Sequence, residues 1–214
     1  MKKNVFWMIA LMLCFVFGSN AQTEMLFNGK DLSNWKFVVD GDKIPAKDMY
    51  MVKDGFIHIQ GDPKIFGYMY TEKKYKDFTL ELEWRWIDKA TNSGIFLMIN
   101  EVKQGNAFPT AIECQLQGGN AGDFVLLSGS DLDEYVVPEG RTRPAFPVVR
   151  KREPSNEKPI GEWNKAKIIV KDGKINVYIN DVFQNQGTNK VKEGHIALQS
   201  EGGPIQFRNV KLTL

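Results

Sequence analysis

Cysteine and histidine are scarce in this chain of 214 residues. Two cysteines are present, Cys14 and Cys114, and two histidines, His58 and His195. Because Cys14 lies in a segment that we expect to be removed, the mature protein has one cysteine and no intrachain disulfide. A protein without disulfides depends on its core, and 14 Phe, 6 Tyr and 5 Trp residues provide large apolar side chains for one.

Long apolar runs are absent after the first 21 residues, so no transmembrane helix is predicted there. Those 21 residues combine a basic start, an apolar stretch at 5–17 and small residues before position 22, which is typical of a cleaved signal peptide. We therefore expect a secreted, periplasmic protein without a stable membrane span. A lipid anchor at Cys14 is not expected, because Leu13 is bulky where lipoprotein signals have a small residue.

An excess of basic charge is also lacking in the expected mature protein. Removal of Lys2 and Lys3 leaves 26 of the 28 basic residues, which balance the 26 acidic ones. Nucleic acid is therefore not expected as a partner, although residues 150–152 are consecutively basic. Residues 22–214 are enough for one sizeable core, and we expect them to form a single domain.

Apolar and polar residues alternate with a period of two along much of the chain, as in Phe78–Trp86, whereas helical periodicity is absent. Asp-Gly pairs at 54–55 and 172–173 separate such runs and favour tight hairpins, because both turn residues adopt positive φ. Many short strands joined by turns predict an all-β fold, a two-sheet antiparallel sandwich. The side chains expected in its core include Leu80, Leu82, Trp84, Ile112, Cys114, Val177 and Phe207.

Two stretches depart from this alternation. Ile205 and Phe207 share one parity and Val210 has the other, which predicts a β-bulge near Arg208. A bulge re-aims side chains, so Arg208 is either directed to a specific place or simply solvated. The periodicity fails over 128–161, which is rich in proline and arginine, and predicts either a loop that frames a ligand groove or a solvated insertion.

The signatures of common catalytic sites are missing. The sequence contains no nucleophile elbow, no phosphate-binding glycine loop, no closely spaced histidine pair and no Cys/His zinc spacing. His58 and His195 each lie in a strand-like segment, where a single histidine is more often structural. They are the alternative candidates for a catalytic base.

Polar residues that share a strand face are the stronger candidates for a site. In a two-sheet sandwich, the outward residues of a strand either face solvent or line a groove. Carboxylates can move protons, and amides or arginine can bind sugar hydroxyls, so such faces suit a carbohydrate site as well as a plain solvated surface. The three sets are Glu113, Gln115 and Gln117; Gln199 and Glu201; and Glu81, Glu83 and Arg85.

The chain resembles the 3-keto-disaccharide hydrolase family over nearly its whole expected mature length. The similar stretches are 26–32, Trp35, 71–73, 75–85, 92–97, 113–115, 158–159, 161–164, 194–199 and 207–209. The resemblance implies a concanavalin-like or laminin-G-like jelly roll. It also implies an enzyme that cleaves glycosides already oxidised to a ketone at C3.

The chemistry implied by the resemblance needs few residues. A C3 ketone acidifies the proton on C2, so a base can form an enolate that expels the C1 substituent, and later addition of water gives net hydrolysis. Glu113 is expected to remove the C2 proton. Glu201 is the candidate for the second proton transfer, although many members have an acidic residue, His and Gly where Ser200-Glu201-Gly202 stands here. The expected substrate-binding side chains are Arg85, Asn92, Gln115, Gln199 and Arg208.

The sequence leaves the metal content and the function open to other interpretations. The resemblance admits a divalent metal, but the sequence offers no ligand set for one, and no other cofactor is evident. The principal alternative function is a non-catalytic, lectin-like carbohydrate-binding module, and the next is an adhesion domain of a surface complex. Carboxylates on several strands favour the enzyme. Elimination and net hydrolysis, the aglycone and the oligomeric state are all left open.

Overall fold

Strands dominate the computed structural model, which describes residues 22–61 and 65–214. These residues contain fifteen strands, a 3₁₀ turn at Asp40–Asp42 and a short helix, α1, at Ala46–Met49. The strands are β1 Thr23–Met25, β2 Trp35–Val39, β3 Tyr50–Lys53, β4 Phe56–Ile59, β5 Gly67–Thr71, β6 Phe78–Trp86, β7 Gly94–Ile99, β8 Ala111–Gln115, β9 Phe124–Leu127, β10 Val148–Val149, β11 Asn164–Lys171, β12 Lys174–Ile179, β13 Val182–Thr188, β14 His195–Ser200 and β15 Ile205–Thr213. The predicted signal peptide, with Cys14, lies outside the described residues.

The strands form two antiparallel sheets. Sheet I has eight strands in the order β13-β12-β11-β6-β15-β4-β3, with β1 paired to β15. Sheet II has seven strands in the order β10-β9-β8-β7-β14-β5-β2. This confirms the predicted two-sheet sandwich.

The main core lies between the two sheets. Strand β6 shows the predicted period most clearly, since its apolar residues are buried and its polar residues are half-buried at every second position. All seven side chains predicted for the core are buried: Leu80, Leu82, Trp84, Ile112, Cys114, Val177 and Phe207.

The predicted turns and the bulge are also present. Asp172 and Gly173 have φ of 47° and 78° in the hairpin between β11 and β12. Asp54 and Gly55 likewise have positive φ in the hairpin between β3 and β4. The pairing of β15 with β6 shifts register between Arg208 and Lys211. The bulge therefore lies where the change of parity predicted it.

Much of the outer face of sheet II is covered. A second apolar cluster is buried there, formed by Val38, Tyr68, Phe96, Ile99, Ala111, Val125, Leu127 and Ala197. Val102 and Phe108, from the loop between β7 and β8, pack against it. Polar side chains on this face consequently lie in a water-poor environment.

The segment 128–161, all of which is described, contains only strand β10. Its second half is anchored by Asp123, which is buried and accepts hydrogen bonds from Arg150 Nη1 and from the backbone N–H of Lys151. Helix α1 has four residues, and no helix in the described part of the chain has the length and apolar composition of a membrane span.

Candidate active site

The carboxyl group of Glu113 lies on the outer face of sheet II, in the middle of β8, and only 2% of this residue is exposed. It extends across the neighbouring strand β7 and covers Gly94. A β-carbon at Gly94 would overlap with Oε1 of Glu113 and would lie 2.7 Å from Cγ and 2.8 Å from Cδ. Glycine at this position therefore gives the carboxyl group its space.

Gln199 and Glu201 stand beside this carboxyl group at the end of β14. Gln199 donates a hydrogen bond from Nε2 to Oε2 of Glu201 over 2.6 Å. The hydroxyl of Ser93 donates to the backbone carbonyl of Gln199 over 2.8 Å, which ties the start of β7 to the end of β14. The two acidic residues thus come from neighbouring parts of one sheet face, as the shared strand faces suggested.

The environments of the two carboxyl groups differ. Burial raises the pKa of Glu113 well above its ordinary value, and the nearby charge of Glu201 raises it further. Glu201 is only half-buried and accepts the hydrogen bond of Gln199. Glu113 therefore keeps its proton to higher pH than an exposed carboxyl group does.

A cleft of about 710 Å³ opens at Glu201 and has Asn92 in its wall. Its rim is formed by two loops in close contact. The backbone N–H of Gly203 donates to the hydroxyl of Thr91, and a β-carbon at Gly202 would lie 2.7 Å from the backbone nitrogen of Asn92. The loop that carries Glu201 is consequently fixed against the loop that carries Asn92.

Several polar atoms around the carboxyl pair are buried without a hydrogen-bond partner among the described residues. They are Oε1 of Glu113, Oε1 of Gln199, Oδ1 of Asn92 and the hydroxyl of Tyr68. Unpartnered buried polar atoms are rare in proteins and costly, and a bound substrate could satisfy them.

Sequence reasoning missed Tyr68. It lies on β5 directly opposite Gln199, and its ring contacts that of Phe96, 5.6 Å away. Burial raises the pKa of its phenol, which keeps the hydroxyl as a neutral donor. The alternation of Tyr68 and Tyr70 with Gly67 and Met69 indicates that the two tyrosines share one face of a strand. It does not indicate whether that face lies toward the core or toward the groove.

The expected substrate-binding residues divide between two places. Asn92 and Gln199 adjoin the carboxyl pair. Gln115 ends the same strand as Glu113, but its Oε1 accepts hydrogen bonds from the backbone N–H groups of Leu116 and Gln117. That oxygen therefore stabilises the turn after β8.

Arg85 and Arg208 lie on the outer face of sheet I, away from the carboxyl pair. Their guanidinium groups lie 4.6 Å and 4.1 Å from the ring of Trp163. Arg85 also donates to Oε1 of Gln206, and Arg208 to Oε2 of Glu83. Arg208 lines one concavity of about 410 Å³ without a carboxylate and a second of about 310 Å³ whose lining includes Glu83 and Asp181. The structure thus does not bring either arginine together with Glu113.

We expect Arg208→Ala to lower stability and leave activity nearly unchanged. The variant loses the ion pair with Glu83 and the contact with Trp163, which at a one-third exposed side chain together contribute about 1 kcal/mol. Thermal unfolding and steady-state kinetics on the same preparation check this, with Lys190→Ala as a control for the charge change. A tenfold loss of kcat/KM in a folded Arg208→Ala protein would instead support the sequence-based role.

The two histidines also lie apart from the carboxyl pair. His58 is on sheet I, where Nε2 lies 3.2 Å from Oε1 of Gln60, and burial lowers the pKa of its imidazole. His195 shares the strand and the face of Gln199 but precedes it by four residues, or roughly 13 Å along the strand. Its Nδ1 donates to the backbone carbonyl of Thr71 over 2.8 Å. Neither imidazole is placed to act with Glu113.

A metal site has little support from the side chains. Within residues 22–61 and 65–214, no three His, Cys, Asp or Glu side chains come together in a way that could hold a metal ion. We assign no metal to the carboxyl pair.

Two sequence comparisons relate the chain to proteins named for the cleavage of 3-keto sugars. The profile of the 3-keto-alpha-glucoside-1,2-lyase-like domain matches residues 22–213. A 3-keto-disaccharide hydrolase of Bacteroides thetaiotaomicron is 26% identical over 234 aligned positions, which cover 87% of this chain and 76% of that protein.

Solved structures share the fold. A proposed glycosyl hydrolase of Parabacteroides distasonis superposes with a TM-score of 0.63 at 23% identity, covering 89% of this chain and 93% of the other. Carbohydrate-binding module CBM66 of Bacillus subtilis gives 0.58 at 13% identity, covering 83% and 94%. These likenesses confirm the jelly roll expected from the sequence.

Proposed function

The chain belongs to the 3-keto-alpha-glucoside-1,2-lyase-like family, and from that premise we propose that it cleaves the glycosidic bond of 3-keto-glucosides through an enolate. A role as a 3-keto-disaccharide hydrolase is supported by the family and by the Bacteroides relative. The observation that carries the finer proposal is the pairing of a buried Glu113, whose pKa is raised by burial, with a half-buried Glu201.

Two carboxyl groups in unlike environments suit the two proton transfers of this reaction. The Glu201 carboxylate takes the proton from C2, and the electron pair of that C–H bond forms the enolate of the C3 ketone. The enolate then expels the oxygen at C1, which takes the proton of Glu113 and leaves as an alcohol. This proposal differs from the sequence-based prediction of Glu113 as the base, and the nearly complete burial of Glu113, which raises its pKa, supports the role of proton donor.

Addition of water completes a net hydrolysis. Glu113, now a carboxylate, removes a proton from water as the oxygen adds to C1, and Glu201 returns its proton to C2. Both carboxyl groups end in their starting states, so no further reactant is required. Without this second half the product is the unsaturated keto sugar, and the protein is a lyase.

The unpartnered atoms around the pair supply binding groups for such a substrate. Asn92 and Gln199 offer buried carbonyl oxygens to sugar hydroxyls, and Tyr68 offers a neutral hydroxyl. A donor that meets the enolate oxygen stabilises the charge that develops there.

A carbohydrate-binding module without activity is the second candidate, and the fold shared with CBM66 favours it. A binding module requires hydroxyl-binding groups and exposed aromatic rings. It has no need of a buried carboxyl group beside a second carboxyl group, an arrangement that costs stability.

The deciding experiment incubates the protein with methyl 3-keto-α-glucoside and follows the products by NMR. We expect release of methanol with either 3-keto-glucose or the unsaturated keto sugar, and no reaction with methyl α-glucoside, in which C2–H is not acidic. Binding of the keto sugar without any release of methanol would support the carbohydrate-binding module instead.

A further inference from the structure

Three phenylalanine rings form a continuous strip that starts beside the carboxyl pair. The rings of Phe66 and Phe108 are 5.5 Å apart, and those of Phe108 and Phe146 are also 5.5 Å apart. We call Phe66, Phe108 and Phe146 the aromatic strip.

The position of Phe66 follows from the pairing of β5 with β14. Gly67 pairs with Ser200, and the residues just beyond this pair are Phe66 and Glu201. The hydroxyl of Ser200 donates to the carbonyl of Ile65, so the two chains stay side by side at this point. One end of the aromatic strip therefore lies next to Glu201.

The strip crosses the outer face of sheet II away from the carboxyl pair. Phe108 packs on the apolar cluster of that face, and Phe146, at the far end, is 46% exposed. Beyond Phe146 the surface continues as a groove of about 670 Å³, whose apolar lining comes from Val136, Pro138, Pro144, Phe146, Val148 and Val149.

Two of the charged groups in this groove are engaged with the protein, whereas Arg141 and Thr142 are exposed. The carboxylate of Glu134 accepts hydrogen bonds from the backbone and the hydroxyl of Thr188, and Arg150 is paired with buried Asp123. Most of the lining is nevertheless apolar, so a flat apolar group would bury its faces against the rings.

We propose that the aromatic strip binds the aglycone of the substrate and that it selects flat, aromatic aglycones over hydroxyl-rich ones. The inference rests on the proposed function, because it takes the carboxyl pair as the place where the glycosidic bond is cleaved. It also assigns a role to part of the segment 128–161, which would frame the aglycone groove.

A graded series of substrates tests the strip. Methyl, phenyl and biphenyl-4-yl 3-keto-α-glucosides lengthen the aglycone one ring at a time, and the two aryl leaving groups have similar acidity. Wild-type kcat/KM should rise from phenyl to biphenyl-4-yl as the second ring reaches the exposed end of the strip.

Phe146→Ala should remove that gain. We expect about a tenfold loss of kcat/KM for the biphenyl-4-yl substrate and less than a twofold change for the methyl substrate. Each variant is compared with the wild type on the same substrate, so differences in leaving-group reactivity cancel. Phe146→Leu, which keeps apolar bulk without the ring, should show an intermediate loss. Ile160→Ala removes a similarly exposed apolar side chain elsewhere and should change no ratio.

The outcomes separate the two proposals. An equal change for all three substrates, or none, in a folded Phe146→Ala protein overturns the aromatic strip and leaves the proposed function standing. Failure of the wild type to cleave any of the three overturns the proposed function. The proposal for the aromatic strip, which rests on that function, is then overturned as well.

Discussion

Glu113→Gln is expected to lower kcat for methyl 3-keto-α-glucoside by about 100-fold or more, because glutamine keeps the shape of the side chain but cannot supply a proton to the leaving oxygen. Deuterium exchange distinguishes this role from that of a base. In D₂O, the Glu113→Gln protein should still replace H2 of the uncleaved substrate, whereas Glu201→Gln should neither exchange H2 nor cleave. Loss of exchange in Glu113→Gln would return Glu113 to the role of base.

The same substitution should raise stability at neutral and alkaline pH. Because burial raises the pKa of Glu113, the folded protein binds this proton more tightly than the unfolded chain does. Folding then takes up a proton above about pH 4.3, the ordinary value for Glu, and stability falls with rising pH by up to about 1.4 kcal/mol per unit until the folded-state pKa is reached. Glutamine does not titrate, so it removes this fall.

Denaturant unfolding at pH 5 and pH 8 measures the effect. We expect Glu113→Gln to exceed the wild type in stability at pH 8 and to differ less at pH 5. Glu193→Gln makes the same chemical change at an exposed position and should alter neither quantity. Gained stability with lost activity is the signature of a group retained for chemistry, and a purely structural carboxyl group would show the reverse.

The strands that were easiest to predict have one face toward the core and one face toward solvent. In β6, buried apolar residues alternate with half-buried polar ones, so the sequence carries the period directly. Strand β9 is buried on both faces, since Phe124 and Leu126 enter the core while Val125 and Leu127 are covered by a loop. It shows no alternation, and nothing local distinguishes it from another apolar segment.

Strand parity also explains which site residues could be foreseen. Glu113, Gln199 and Glu201 were placed on outward faces, and their strands belong to the same sheet. Arg85 and Arg208 satisfy the same criterion but belong to the other sheet. Alternation shows which residues share a face of one strand, and the assignment of strands to sheets depends on pairing between distant segments.

Gly94→Ala is the prediction that tests the geometry of the site. A methyl group there would occupy the position of the Glu113 carboxyl group, whose atoms are the three nearest to the missing β-carbon. Either the carboxyl group moves or β7 and β8 separate, and the crowding should cost about 1–3 kcal/mol. Since a displacement of about 1 Å at a reacting group can cost about 100-fold in rate, we expect a loss of activity of that order.

A double-mutant cycle shows whether the carboxyl group is what Gly94 accommodates. In the Glu113→Ala background the side chain that would clash is gone, so adding Gly94→Ala should change the free energy of unfolding by only a few tenths of a kcal/mol. The coupling free energy should therefore nearly equal the cost of Gly94→Ala in the wild type. Additive costs would mean that the glycine is required by the backbone of β7, and that the carboxyl group of Glu113 lies elsewhere. Because the cycle is measured on unfolding, it tests the position of Glu113 independently of any substrate.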